Sequence, residues 1–287
     1  MSRLLLALMW LLHLLPLRVL AAAGNGIGAA LFWLIPERRK VVRTNLALCF
    51  PQRSAEERER LARAHFRAFG RSFIEHALLW WLPPARLRAL VRVEGIEHLE
   101  ALGSRPVILL APHFVGLDAG GLRLSMDRLV GSMYSKQKDP VFDSLLYEGR
   151  SRFGAKLFSR QDGFRKTLRA IQSGMPFYYL PDLDFGQRSA VFVPFFGVPA
   201  ATVTGLAFIA RLTGATVVPC VTRMLPRGGY EARLYPAWTG YPSGDDAADA
   251  RRMLAFIEER VLEMPEQYYW VHRRFKTRPE GEPSVYR

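Results

Sequence analysis

The stretch Val107-Ile108-Leu109-Leu110-Ala111-Pro112-His113-Phe114-Val115-Gly116-Leu117-Asp118 decides how this chain is read. This apolar run, ending at a histidine, reads as a strand, and the residues behind it read as a strand-to-helix turn. In such α/β sheets reactive groups gather beyond the carboxyl ends of the strands. The stretch therefore sets a candidate general base, His113, and a carboxylate, Asp118, at one strand-to-helix turn. A carboxylate beside a histidine fixes the imidazole tautomer and stabilises its charged form. The plainer alternative is a loop histidine followed by a helix-start acid.

Outward from this stretch the same alternation continues. Candidate strands at 106–111, 130–134, 155–158, 176–180, 216–222 and 230–235 are interleaved with candidate helices at 117–127, 140–152, 163–173, 202–213 and 246–263. Short apolar runs alternating with longer helical patterns predict an α/β fold with a mostly parallel central sheet flanked by helices. Ser54-Ala55-Glu56-Glu57, an N-cap followed by acids, opens one or two amphipathic helices over 54–82, which end at Trp80-Trp81-Leu82 before Pro83-Pro84. The tryptophans suit either the core or a membrane-interface belt.

Leu4 to Ile35 is almost wholly apolar and is followed at once by Glu37-Arg38-Arg39-Lys40 and Arg43. A bilayer span needs about 20 apolar residues. The segment is expected to cross a membrane or to lie partly embedded, with a bend near Pro16 or the glycines at Gly24, Gly26 and Gly28. A cleaved signal peptide is the rival reading, but the apolar character resumes at Ala29–Ile35, beyond the Ala21-Ala22-Ala23 site. The basic cluster behind the segment predicts that the rest of the chain stays cytoplasmic. Residues 1–36 are thus expected to form a membrane anchor and residues 37–287 a cytoplasmic domain.

The chain carries 40 Lys+Arg against 26 Asp+Glu, and only six of the basic residues are lysine. Arginine in such excess suits phosphorylated ligands, anionic membrane surfaces or nucleic acid. Its two cysteines, Cys49 and Cys220, lack metal-ligand spacing, so neither a zinc site nor a disulfide framework is expected. A second cluster, Leu180-Pro181-Asp182-Leu183-Asp184-Phe185-Gly186-Gln187-Arg188, again follows an apolar strand. Acids at i and i+2 allow a metal-dependent glycosyltransferase, in which Asp182 and Asp184 hold a cation with nucleotide phosphates. The aromatics of 189–199 read as either an acyl-chain channel or ordinary core. The run 268–279 mixes cations with aromatics, as a phosphorylated glycolipid or single-stranded nucleic acid would require.

Taken in order, several segments resemble the late acyltransferases of lipid A biosynthesis: the apolar start, Thr44-Asn45-Leu46-Ala47-Leu48-Cys49-Phe50-Pro51, the His113/Asp118 pair, the 181–186 turn, Val191–Gly197 and Trp270–Pro279. The resemblance covers nearly the whole chain. It implies a glycerol-3-phosphate/lysophospholipid-acyltransferase-like fold with an N-terminal membrane helix at the inner membrane, facing the cytoplasm. It also implies transfer of a lauroyl or myristoyl chain from acyl carrier protein to a hydroxyl of a 3-hydroxyacyl chain on a lipid A precursor, with no cofactor, metal or nucleic acid. His113 would act as base, oriented by Asp118. Arg150 matches the family's functional arginine and Asp184 an acid beside the site. Asp182, Arg188, Arg273 and Arg274 join Arg150 and Asp184 as candidate substrate-binding residues. The chain departs from the family pattern at Tyr134-Ser135-Lys136, where many members follow the tyrosine with arginine-proline, and at Asp118, where many carry glutamate.

Overall fold

The computed structural model describes residue 7, residues 9–159 and residues 164–286. The apolar run of the opening stretch is strand β2 (Val107–Leu110), preceded by β1 (Val91–Glu94) and followed by β3 (Gly131–Tyr134), β4 (Lys156–Ser159) and β5 (Phe177–Tyr179). A hairpin of β6 (Ala190–Phe195) and β7 (Val198–Val203) comes next, then β8 (Thr216–Met224) and β9 (Tyr230–Leu234). Seven strands form one sheet in the order β1-β9-β8-β2-β5-β3-β4, and only the β8–β9 pair is antiparallel. All four residues of β2 are buried, as a central parallel strand covered on both faces requires.

The helices are α1 (Leu17–Leu34), α2 (Pro36–Cys49), α3 (Ala55–Trp81), α4 (Pro84–Leu90), α5 (Glu97–Glu100), α6 (Leu117–Ser125), α7 (Pro140–Ser151), α8 (Phe164–Gln172), α9 (Gly205–Thr213) and α10 (Asp246–Glu263). The expected pattern over 54–82 is a single helix, α3. It opens on a reciprocal capping box, with Ser54 Oγ accepting from the Glu57 N–H at 3.1 Å and Glu57 Oε2 accepting from the Ser54 N–H at 2.7 Å. Trp80 is buried in the core beneath α3.

Two segments differ from expectation. Residues 190–203 form the β6–β7 hairpin, so the helix expected from 202 begins only at Gly205. β-branched residues favour strand over 198–203, and Phe196 and Gly197 supply the two positive φ angles that a two-residue hairpin turn demands. The edge strand β1 escaped the pattern because it alternates charge with valine over only four residues.

Helix α1 is long and apolar enough to cross a bilayer, at about 27 Å for 18 residues. The chain bends at Pro16 and then runs unbroken through its glycines. Those glycines set how closely α1 meets α3. A Cβ at Gly28 would lie 2.1 Å from the Phe66 carbonyl oxygen, and one at Gly70 would lie 2.5 Å from the Gly28 nitrogen. Leu20, Gly24, Gly28 and Phe32 form the buried stripe, while Val19, Ile27, Trp33 and Leu34 are exposed on the other side. Gly28→Leu is expected to force the two backbones apart and to cost about 1–3 kcal/mol. Thermal denaturation in detergent measures this, and an unchanged midpoint would mean that α1 contributes nothing to the fold.

Candidate active site

Parallel register builds the site. β2 and β5 are neighbours with Leu110 opposite Tyr179, so the residues three positions beyond each, His113 and Asp182, emerge side by side at the carboxyl edge of the sheet. Asp182 is fully buried and closes on His113 twice, accepting from its main-chain N–H at 2.9 Å and pairing with ring Nδ1 at 2.6 Å. Burial alone would push the Asp182 carboxyl up, but the facing imidazole and the hydrogen bonds from His113 outweigh it and hold the acid below its ordinary range. A carboxylate on Nδ1 makes that nitrogen the donor and leaves Nε2 as the basic nitrogen of the ring.

His113 lines a cavity of about 980 Å³, the upper end of the range for ligand pockets. The cavity follows the carboxyl edge of the sheet. On one side lie Phe69, Ser72, Phe73, His76 and Trp80 of α3 with Leu146 of α7. On the other lie Phe164 and Thr167 of α8 with Gly205, Phe208 and Ile209 of α9.

Asp118 pairs away from His113. Gly116 and Gly120 let α6 pack directly on Thr222 of β8, since a Cβ at Gly120 would lie 1.9 Å from Thr222 Oγ1. From the first turn of that helix the Asp118 carboxylate faces α7 and α3. It accepts from Arg150 Nε at 2.7 Å and Nη2 at 3.1 Å, and it meets His76 Nε2 at 3.0 Å. Burial works against its charge, yet Arg150 and His76 hold it far below the usual carboxylate range. The expected orienting contact from Asp118 is therefore replaced by Asp182, and Asp118 orients Arg150 instead.

The remaining expected ligands separate. Arg150 and Arg188 both line the cavity. Asp184 is buried and occupied, accepting from the Thr277 N–H and Oγ1 and the Gly186 N–H at 2.7–2.9 Å. Its own N–H donates to His272 Nε2 at 3.1 Å, and burial, reinforced by nearby Arg274, pushes that imidazole down to about 4, so the acceptor is neutral. Arg274 is only 2% exposed and donates to the Ala201 carbonyl and to Thr202 Oγ1, pinning the tail to β7. Arg273 pairs with Glu37 on the surface. Asp182 and Asp184 thus answer to different partners, His113 and Thr277, instead of converging on one cation, and no cluster of three or more metal-ligating acids, histidines or cysteines occurs among the described residues.

Two further residues belong to the site without having stood out in the sequence. Tyr269 joins the wall beside His113, with its N–H donating to the His113 carbonyl at 2.9 Å and its ring centroid 6.1 Å from the imidazole. Helical spacing is the signal that finds His76, because Phe69, Ser72, His76 and Trp80 share one face of α3.

Comparison with known proteins places the whole chain in one family. The model of the family described as bacterial lipid A biosynthesis acyltransferase matches residues 2–277. The lipid A biosynthesis lauroyltransferase of Escherichia coli (strain K12) is 36% identical over 285 residues, which cover 98% of this chain and 93% of the relative. The palmitoleoyltransferase of the same strain is 34% identical, covering 98% and 92%, and the myristoyltransferase is 33% identical, covering 85% and 76%. A solved 1-acyl-sn-glycerophosphate acyltransferase, PlsC from Thermotoga maritima, aligns with 86% of this chain and 99% of its own at a TM-score of 0.39 and 15% identity.

Proposed function

Because the chain belongs to the bacterial lipid A biosynthesis acyltransferase family, we propose that it transfers a lauroyl or myristoyl group from acyl carrier protein to a hydroxyl of a 3-hydroxyacyl chain on a lipid A precursor. The observation that carries this reading is the 2.6 Å His113–Asp182 contact at the wall of a large, mostly apolar cavity. His113 Nε2 takes the proton from the acceptor hydroxyl as its oxygen attacks the thioester carbonyl. The tetrahedral intermediate collapses to the ester, and the departing carrier thiolate recovers the proton from His113. Asp182 holds the ring in the required tautomer and stabilises the imidazolium between the two steps. Arg150, fixed by Asp118, offers its remaining N–H groups to the oxygen on which negative charge develops. Arg188 at the cavity rim is the candidate contact for the acceptor's phosphates or sugar acids.

In this reading residues 1–36 are the membrane anchor and residues 37–287 the acyltransferase domain on the cytoplasmic side of the inner membrane, with the Arg38–Arg43 cluster supporting that orientation. No step requires a metal or cofactor. Mass spectrometry of lipid A from cells with and without the protein tests the assignment. The expected result is loss of one secondary acyl group, whose mass names the donor chain, and an unchanged profile would overturn the reading.

A further inference from the structure

We propose that His76 is a positioning residue for acyl transfer, holding the Asp118–Arg150 pair against the cavity. The inference rests on the reading of Arg150 as the group that meets developing negative charge. His76 Nδ1 lies 2.7 Å from the carbonyl oxygen of Ser72, one turn earlier on α3, and Nε2 lies 3.0 Å from Asp118 Oδ2. Both partners are acceptors, and the contact to Asp118 is a hydrogen bond when Nε2 carries the ring proton. The Trp80 ring packs against it at 5.3 Å and fixes its plane.

Three helices thus meet at one carboxylate, with His76 of α3 and Arg150 of α7 both bound to Asp118 of α6. Asp118 occupies Arg150 Nε and Nη2, which leaves Nη1 for the oxyanion of the tetrahedral intermediate. Without His76, Asp118 would swing between Arg150 and solvent, and Arg150 would lose its fixed direction. The guanidinium would then be present but misaimed, which affects kcat more than substrate binding.

The test measures acyl transfer from acyl carrier protein to the lipid A precursor by the purified full chain. His76→Leu is expected to lower kcat about tenfold or more with KM changed less than about threefold. In an Asp118→Asn background the same substitution should add less than about twofold, because the two residues act through one contact. His76→Gln keeps a donor toward Asp118 without the rigid ring and should fall between wild type and His76→Leu. If His76→Leu does not accumulate, His76→Gln decides alone through a three- to tenfold loss in kcat at unchanged KM. Wild-type kcat in either variant, additivity with Asp118→Asn, or a loss confined to the thermal midpoint would overturn the role of His76. Full activity in Asp118→Asn alone would overturn the underlying reading of Arg150 as well.

Discussion

His113→Ala is expected to lower kcat for acyl transfer by about 10²–10⁴-fold, the contribution of a positioned general base. The variant keeps the main-chain N–H that donates to Asp182 and loses only the ring contact at 2.6 Å. Leaving one oxygen of a buried carboxylate unpaired costs about 1–3 kcal/mol, so the protein should remain folded. Steady-state turnover measured beside a thermal melt separates the two effects. Turnover within tenfold of the wild type would remove His113 from the base role.

Asp182→Asn should be nearly as damaging for a different reason. The amide is isosteric, and its oxygen still accepts from the His113 main chain. Its NH₂ group then faces Nδ1, which must become the acceptor and send the ring proton to Nε2. A base that already carries its proton at the working nitrogen cannot accept another, and the comparable change in a serine-protease triad costs about 10⁴-fold. The loss should appear in kcat with KM nearly unchanged. Asp118→Asn, which loosens Arg150 but leaves the His113 tautomer alone, should cost distinctly less. The ranking is the measurement: an Asp118→Asn defect larger than that of Asp182→Asn would restore Asp118 as the partner of His113.

Much of the frame was legible in the chain because local patterns carried it. β2 is buried on both faces and reads as an uninterrupted apolar run, and α3 opens with a capping box whose residues are four consecutive positions. The acid that serves His113 was not legible in this way. Asp118 is nearest in sequence, but Asp182 lies 69 positions away and arrives only through the β2–β5 register, which no local pattern encodes. The arginine pair at 273–274 shows the same limit. Adjacent in sequence, one turns to Glu37 on the surface and the other to carbonyl and hydroxyl oxygens of a hairpin some 70 positions earlier. Gly24 and Gly28 stood out as candidate bends in an apolar segment, but their use as a contact surface depends on Gly70, which lies on another helix.

The segment from Gln267 onward bonds to residues 113–115, where Val115 N–H donates to Gln267 O and Tyr269 N–H donates to His113 O, both at 2.9 Å. It also captures the 182–186 turn through Thr277 and is itself held by Asn45 of α2, which donates to the carbonyls of Trp270 and His272 at 2.8 Å. This arrangement imposes an order on biosynthesis. The apolar helix α1 leaves the ribosome roughly 250 residues before this closing segment, an interval of about 12–50 s at 5–20 residues per second. The His113 loop therefore lacks its clamp until the last residues are made, and the site is completed only when the whole chain has left the ribosome.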